Sequence, residues 1–305
     1  MTTLIASSVV RGSRQGESHG GVYLVDFQAE HSRRVIDWNT SGIDWSGRGW
    51  DRGLRGIALD GDTIYIAASN ELFAYDREFN VLGSWRNPYL RHCHEIHVHQ
   101  RRLYLSSTGF DSLLGFDLDH KRFCWGLQLA FDGIDYRALP FDPQGERGPQ
   151  ERNELHLNNV WCDTTGMYLG GLHLCGLLRF DGKRLRKVLS LPAGVHNARP
   201  YRDGVLFNDT AADRLCCVST GQRWSFAVPR YEETRLTHTG FDDSRIARQG
   251  FARGLCVIDD TLVAAGSSPS TITLYDLAAG RSLASVTLSL DIRNAIHGLE
   301  VWPFD

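Results

Sequence analysis

The 305-residue chain lacks most of the features by which a sequence declares a function. It has no Gly-rich phosphate loop, no G-x-S-x-G elbow, no HExxH pair and no EF-hand calcium loop. No serine or cysteine stands in a recognisable nucleophile setting. No apolar run approaches the ~18 residues that span a bilayer, so no membrane partner is expected. No Lys/Arg block marks a nucleic-acid surface, no acidic tail is present, and the net charge is only −3. The seven cysteines are odd in number, form no C-x-x-C pair and sit in apolar, strand-like segments. They read as buried hydrophobes in a reducing compartment. The first residues show no basic segment followed by an apolar stretch, so no signal peptide is read and a cytoplasmic location is expected. Amphipathic helical patterning is almost absent too.

What is present is a repeat. Its clearest copy runs from Arg55 through Ile57-Ala-Leu-Asp-Gly-Asp-Thr-Ile-Tyr-Ile-Ala-Ala68 to Glu71-Leu-Phe-Ala-Tyr-Asp76. That is a strand, a tight Asp-Gly turn, a second strand, and a third ending in Tyr-Asp. Further copies begin at His94, Asn158, His196 and Arg253. A sixth starts at His297 and stops, while the strands it lacks occur at the other end, in Gly21–Asp26 and Arg33–Trp38. Completion of one repeat from both ends closes a ring and removes free sheet edges. Repeats of about 40 to 64 residues with frequent hairpin turns predict an all-β fold, a six-bladed β-propeller forming a single domain over 1–305. A β-sandwich is the alternative, but sandwiches seldom keep so regular an internal phase.

Aligned on their first apolar residues (Ile57, Ile96, Val160, Ala198, Leu255 and Leu299), the six copies share a polar position two residues earlier. It holds Arg55, His94, Asn158, His196, Arg253 and His297. The innermost strand of a propeller blade starts at one face, so these residues are expected to ring the mouth of the channel. Histidine recurs in alternate copies, 102 and 101 residues apart. A lone histidine at a strand start is usually structural. Three in phase predict a tri-imidazole site for a divalent metal, zinc or iron(II), with positions left open for water or substrate. Arg55 and Arg253 between them are suited to a small anionic substrate, and Asn158 to orienting it. His92 and His156, two residues before ring positions, are candidates for a fourth metal ligand, for proton transfer or for plain loop residues. Glu95 and Glu300 are candidate supports for a ligand imidazole, although strand alternation turns Glu95 away. Long connections near 36–53, 130–155 and 229–251, carrying Trp38, Trp45, Trp50, Tyr136, Tyr231, His238 and Phe241, are expected to cap the mouth.

Three histidines at this spacing resemble the catalytic core of the peptidyl-α-hydroxyglycine α-amidating lyases, with Arg55 the counterpart of that family's catalytic arginine. More broadly the layout is similar to gluconolactonase/strictosidine synthase-like and NHL propellers, in a bacterial branch. The resemblance implies zinc on the propeller axis held by His94, His196 and His297, and a catalytic tyrosine for which Tyr136 and Tyr231 are loop candidates. The combined expectation is a metal-dependent lyase or hydrolase. Iron(II)-dependent oxygenase chemistry at the same histidines, metal-free hydrolysis by the arginine and histidine ring, and a non-catalytic ligand- or protein-binding propeller remain open. Oligomeric state is not legible.

Overall fold

The computed structural model describes residues 3–13, 16–38, 53–240 and 248–304. Among them are 25 strands, numbered here in chain order, and no α-helix. The strands form six antiparallel sheets, the blades of a six-bladed β-propeller. Blade one is β4 (Ile57–Asp60), β5 (Thr63–Ala68), β6 (Glu71–Tyr75) and β7 (Val81–Arg86). Blade two runs from β8 (Ile96–His99) through β9 (Arg102–Ser107), β10 (Ser112–Asp117) and β11 (Arg122–Phe131) to β12 (Tyr136–Phe141). Blade three is β13 (Leu157–Asp163), β14 (Gly166–Gly171), β15 (Gly176–Phe180) and β16 (Leu185–Ser190). Blade four is β17 (Val195–Tyr201), β18 (Gly204–Asp209), β19 (Arg214–Ser219) and β20 (Gln222–Ala227). Blade five is β21 (Gly250–Val257), β22 (Leu262–Ser268), β23 (Thr271–Asp276) and β24 (Arg281–Thr287). The sixth blade has the order β25-β1-β2-β3. It joins β25 (Asn294–Val301) to β1 (Thr3–Val10), β2 (Gly20–Asp26) and β3 (His31–Asp37), the ring closure the split repeat predicts.

The chain divides into two compact units, residues 56–207 and residues 1–55 with 208–305. Each is described separately below.

The Tyr-Asp ending of the repeat has a local cause. The aspartate that ends the third strand turns its carboxylate onto the amides of the following turn. Asp26 accepts from Gln28 and Ala29, Asp117 from Asp119 and His120, Asp181 from Lys183 and Arg184, and Asp276 from Ala278 and Ala279. This is an Asx turn, which fixes the hairpin into the fourth strand. The turn amides hold the Asp26 and Asp181 carboxyls below their usual range, the Asn80 side chain does so for Asp76, and Asp117, with His120 bonded to it, drops to about 2.

Side chains also tie neighbouring blades, from the second to the sixth, through main-chain acceptors. In residues 56–207, Thr108 donates to the Leu157 carbonyl at 2.6 Å, and Asn159 Nδ2 to Ala198 at 2.8 Å. In the other unit, Thr210 reaches Ala252 at 2.6 Å, Asn208 reaches Gly254 at 3.0 Å, and Ser268 reaches Ile292 at 2.8 Å. The tightest strap is Asp111. Buried at the end of the β9–β10 turn, it accepts the amides of Glu154 (2.7 Å), Leu155 (2.9 Å) and Leu157 (3.2 Å), pinning the chain as it enters β13.

Two expectations change. Within the 130–155 connection, Tyr136–Phe141 pairs with β11 as a fifth strand at the outer edge of blade two instead of covering a mouth. The remainder is bound to neighbouring loops: Asn87 donates to the Pro143 carbonyl, Tyr89 to Gly145, and Arg152 to Gly109. Cys175 is exposed, unlike the buried Cys93, Cys162, Cys216, Cys217 and Cys256, and all seven cysteines are free thiols. Trp45, Trp50 and Phe241 lie outside the described residues, while Trp38 is fully buried.

Replacing Asp111 with Ala leaves buried amides without acceptors, so stability should fall by about 2 kcal/mol or more. Urea denaturation of the Asp111→Ala protein checks this, and an unchanged midpoint contradicts the strap.

Candidate functional site

The ring positions sit where the inner strands depart from regular pairing. In blade three the β13–β14 register slips between Leu157 and Asn159, leaving Asn158 as the extra residue. Blade five slips between Arg253 and Leu255, and the sixth blade between Ala6 and Ser8, opposite Ile296–Leu299. Such bulges re-aim side chains. The residues that follow the six ring positions are Gly56, Glu95, Asn159, Asn197, Gly254 and Gly298. Asn197 and Gly254 adopt left-handed backbone, φ 53° and 73°. Left-handed φ also occurs two residues before the ring, at His92 (54°), His156 (49°), Gly194 (86°) and Phe251 (46°). For the three non-glycine residues this is a strained conformation held by its surroundings.

Residues 56–207 bring histidines together. The His94 and His196 ring centres are 6.2 Å apart, those of His94 and His156 5.5 Å, and those of His156 and His173 6.2 Å. The row runs from buried His196 to exposed His173. His94 is held closely. Its Nδ1 lies 2.7 Å from the His92 carbonyl and 2.9 Å from Thr108 Oγ1. The Thr108 hydroxyl spends its proton on Leu157, so it can only accept from the ring. Both contacts therefore require a proton on Nδ1, so in the neutral ring the lone pair is on Nε2. Ser106 Oγ accepts the amides of His94 (3.2 Å) and Glu95 (3.0 Å), fixing the backbone beneath. Asn158 is buried, with Nδ2 donating to the Val195 carbonyl at 3.2 Å. Its Oδ1 has no hydrogen-bond partner among the described residues.

Glu95 turns away from the histidines, as alternation predicts, but into a second cluster instead of water. It accepts from Asn197 Nδ2 at 3.3 Å, near the Arg199 guanidinium. The residue as a whole is only partly buried, yet its Oε2 is enclosed and without a partner among the described residues. Burial pushes its carboxyl up to about 7, against the opposing pull of Arg199 and Asn197. Beside it the His97 ring stacks on Trp161 at 4.2 Å, with Arg199 4.8 Å over the same indole. His97 Nε2 donates to the Cys162 carbonyl at 3.0 Å, and burial lowers its pKa to about 4, so it is neutral.

The other unit gathers arginines. The guanidinium carbons of Arg11 and Arg248 each lie 4.2 Å from the Phe251 ring centre, and that of Arg253 5.6 Å. Arg253 donates to His297 Nε2 at 3.3 Å, which places the His297 lone pair on that nitrogen. Arg55 is fully buried; Ser7 Oγ donates to its carbonyl and accepts the Gly298 amide, linking the backbones at two ring positions. Tyr231 is tied to Thr271 and Thr287, and His238 to Asp291. In residues 56–207, Tyr136 donates to the Leu174 carbonyl and stacks on Phe131, so it belongs to the outer edge of its blade and leaves the set of catalytic candidates.

A metal-binding imidazole commonly donates its second N–H to a carbonyl, as His94 does. The 6.2 Å between the His94 and His196 centres exceeds the ~5 Å that ~2.0 Å bonds to one tetrahedral cation would set. His297 Nε2 already takes a proton donor, Arg253. Among the described residues, no group of three or more His, Cys, Asp or Glu is disposed to hold a metal ion. His94, His196 and His297 each carry a nitrogen donor of the kind a divalent cation takes.

Glu95 keeps its proton up to about 7 when folded, against 4.5 for an ordinary glutamate. The unfolded chain releases that proton first, so the contribution is present at low pH and fades as pH rises through this window. Wild type should therefore lose stability between about pH 5 and about pH 8, and Glu95→Gln should lose less. Chemical denaturation at the two pH values tests it; equal losses would assign the carboxyl an ordinary pKa.

No protein-family model and no curated protein matches the chain. Solved structures do. A chain of a nidogen/laminin complex, 11% identical, aligns over 99% of this chain and 98% of its own with a TM-score of 0.57. Apo AztD from Citrobacter koseri, 10% identical, covers 99% and 98% with a TM-score of 0.49. A catalytically inactive virginiamycin B lyase from Staphylococcus aureus, with quinupristin, is 9% identical over 79% and 71% with a TM-score of 0.48. At such identities the likeness is one of fold.

Proposed function

We propose that this chain is an enzyme acting on a small anionic substrate at the ring position of its blades, by lyase or hydrolase chemistry. One observation carries the reading: His94 is clamped at Nδ1 by two acceptors, so Nε2 is a base oriented in advance. In a lyase that nitrogen would remove a substrate proton; in a hydrolase it would take one from water. The row His94, His156, His173 leads outward at spacings that a single water can bridge, giving the proton a path to solvent. His196 at the buried end would hold substrate by hydrogen bonding, and Asn158 Oδ1 would accept from it. Arg253 and Arg55 hold the same repeat position in the other unit, where a permanently charged guanidinium suits an anion and charge developing in reaction. Neutral imidazole for protons and arginine for charge is a consistent division of labour.

Zinc or iron(II) at His94, His196 and His297 would instead supply Lewis-acid or oxygen chemistry. Elemental analysis of protein purified without chelators separates the two. Acid–base chemistry predicts no stoichiometric metal. About one zinc or iron per chain, lost in a His94→Ala/His196→Ala protein, would transfer the chemistry to the metal.

Anion binding is the direct test, with inorganic phosphate and malonate as probes in calorimetry. Wild type should bind at least one of them, and Arg253→Ala should weaken that binding about tenfold or more. His94→Ala should keep the binding while lowering any turnover found with anionic esters about a hundredfold or more. Absence of anion binding in wild type would overturn the proposal.

A further inference from the structure

The extra strand of blade two creates a feature the ring does not use. Both β12 and β16 are the last strands of their sheets, and between them runs a groove. One part, about 360 Å³, is lined by Phe131, Ile134, Tyr136, Leu185, Arg186 and Lys187, with Asp135. An adjoining part of about 520 Å³ shares Tyr136, Leu185 and Arg186 and extends past Leu139 to Lys183 and Arg184. The floor is apolar: Tyr136, Ala138 and Leu185 pack from here onto the core of this unit.

Two observations set the groove apart from an ordinary blade edge. Phe131, Ile134, Leu139, Val188 and Leu189 are five of the eight large hydrophobics exposed among the described residues, and all lie on the β11–β12 hairpin or β16. Ile134 is 86% exposed. Next to them the segment Lys183-Arg-Leu-Arg-Lys187 carries four cations, none in an ion pair among the described residues. Elsewhere on this unit, arginines such as Arg91, Arg101 and Arg137 do have carboxylate partners. Lys and Arg on an edge strand commonly serve to repel other strands. That role accounts for the charge but not for a concentration of exposed apolar side chains beside it, which is the mark of an interaction site.

We infer that this groove binds an acidic, extended peptide segment of a partner protein, added along the free edge of β16. Alternate side chains of an added strand face opposite ways. Carboxylates on one side would meet Arg184 and Arg186, and apolar residues on the other would cover Ile134, Tyr136 and Leu185, with Lys183 and Lys187 at the margins of that floor. Nucleic acid would answer the cations but would leave the apolar floor uncovered.

The test uses the full chain and a fluorescent peptide of about eight residues, an ordinary strand length, alternating Glu and Val. Its counterpart has Lys in place of Glu, and a single-stranded oligonucleotide is the third probe. Fluorescence anisotropy should show saturable binding of the Glu peptide alone. Affinity should fall about tenfold or more in Arg186→Glu/Lys187→Glu, in Ile134→Asp and at high salt. All substituted side chains are exposed, and an unchanged circular dichroism spectrum and melting temperature will show that the fold is kept. The inference fails if the Glu peptide does not bind, if both variants bind it as wild type does, or if the oligonucleotide alone binds.

Discussion

The inner strands of this propeller depend on side chains completing main-chain hydrogen bonds that the sheet ladder leaves open. A bulge gives up ladder pairing where it occurs, and a buried amide or carbonyl without a partner costs about 1–3 kcal/mol. Ser7, Ser106, Thr108, Asn159, Asn208 and Asp111 supply the missing partners, several of them from one blade to the next. Because these bonds hold the bulges, they also hold the side chains that the bulges aim. Thr108 serves both purposes, donating to Leu157 and accepting from His94. The chemistry of the ring thus rests on the same bonds as the assembly of the blades.

That dependence shapes what the ring can do. His94 has no choice of tautomer while His92 and Thr108 face its Nδ1, and Arg253 imposes a lone pair on His297 Nε2. His97 is kept neutral by burial. Neutral imidazoles and permanently charged guanidinium groups suit binding an anion and moving its protons. The strained backbone at His92, His156 and Phe251 fits a site in which position matters more than local comfort.

Much of this was legible in the sequence. The repeat and the ring closure at the two ends follow from residue phase, because a propeller places equivalent residues equivalently. The bulges leave little trace in the sequence; in blade five it is Gly254, whose left-handed backbone favours glycine. Strand alternation gave the right side for Glu95 but not its surroundings, since Arg199 and Asn197 come from another blade. His173 follows a strand as an unremarkable loop residue, and only the fold brings it beside His156. Tyr136 read as part of a cap because nothing local separates a long loop from a long hairpin; the pairing of β12 with β11 is decided by tertiary packing.

The most direct measurement is the protonation of the His94 ring by nitrogen-15 NMR on histidine-labelled protein, assigned with His94→Gln. The account predicts a proton resident on Nδ1, and a change at Nε2 when phosphate or malonate is added. A proton resident on Nε2, or a ring indifferent to every anion, would contradict it.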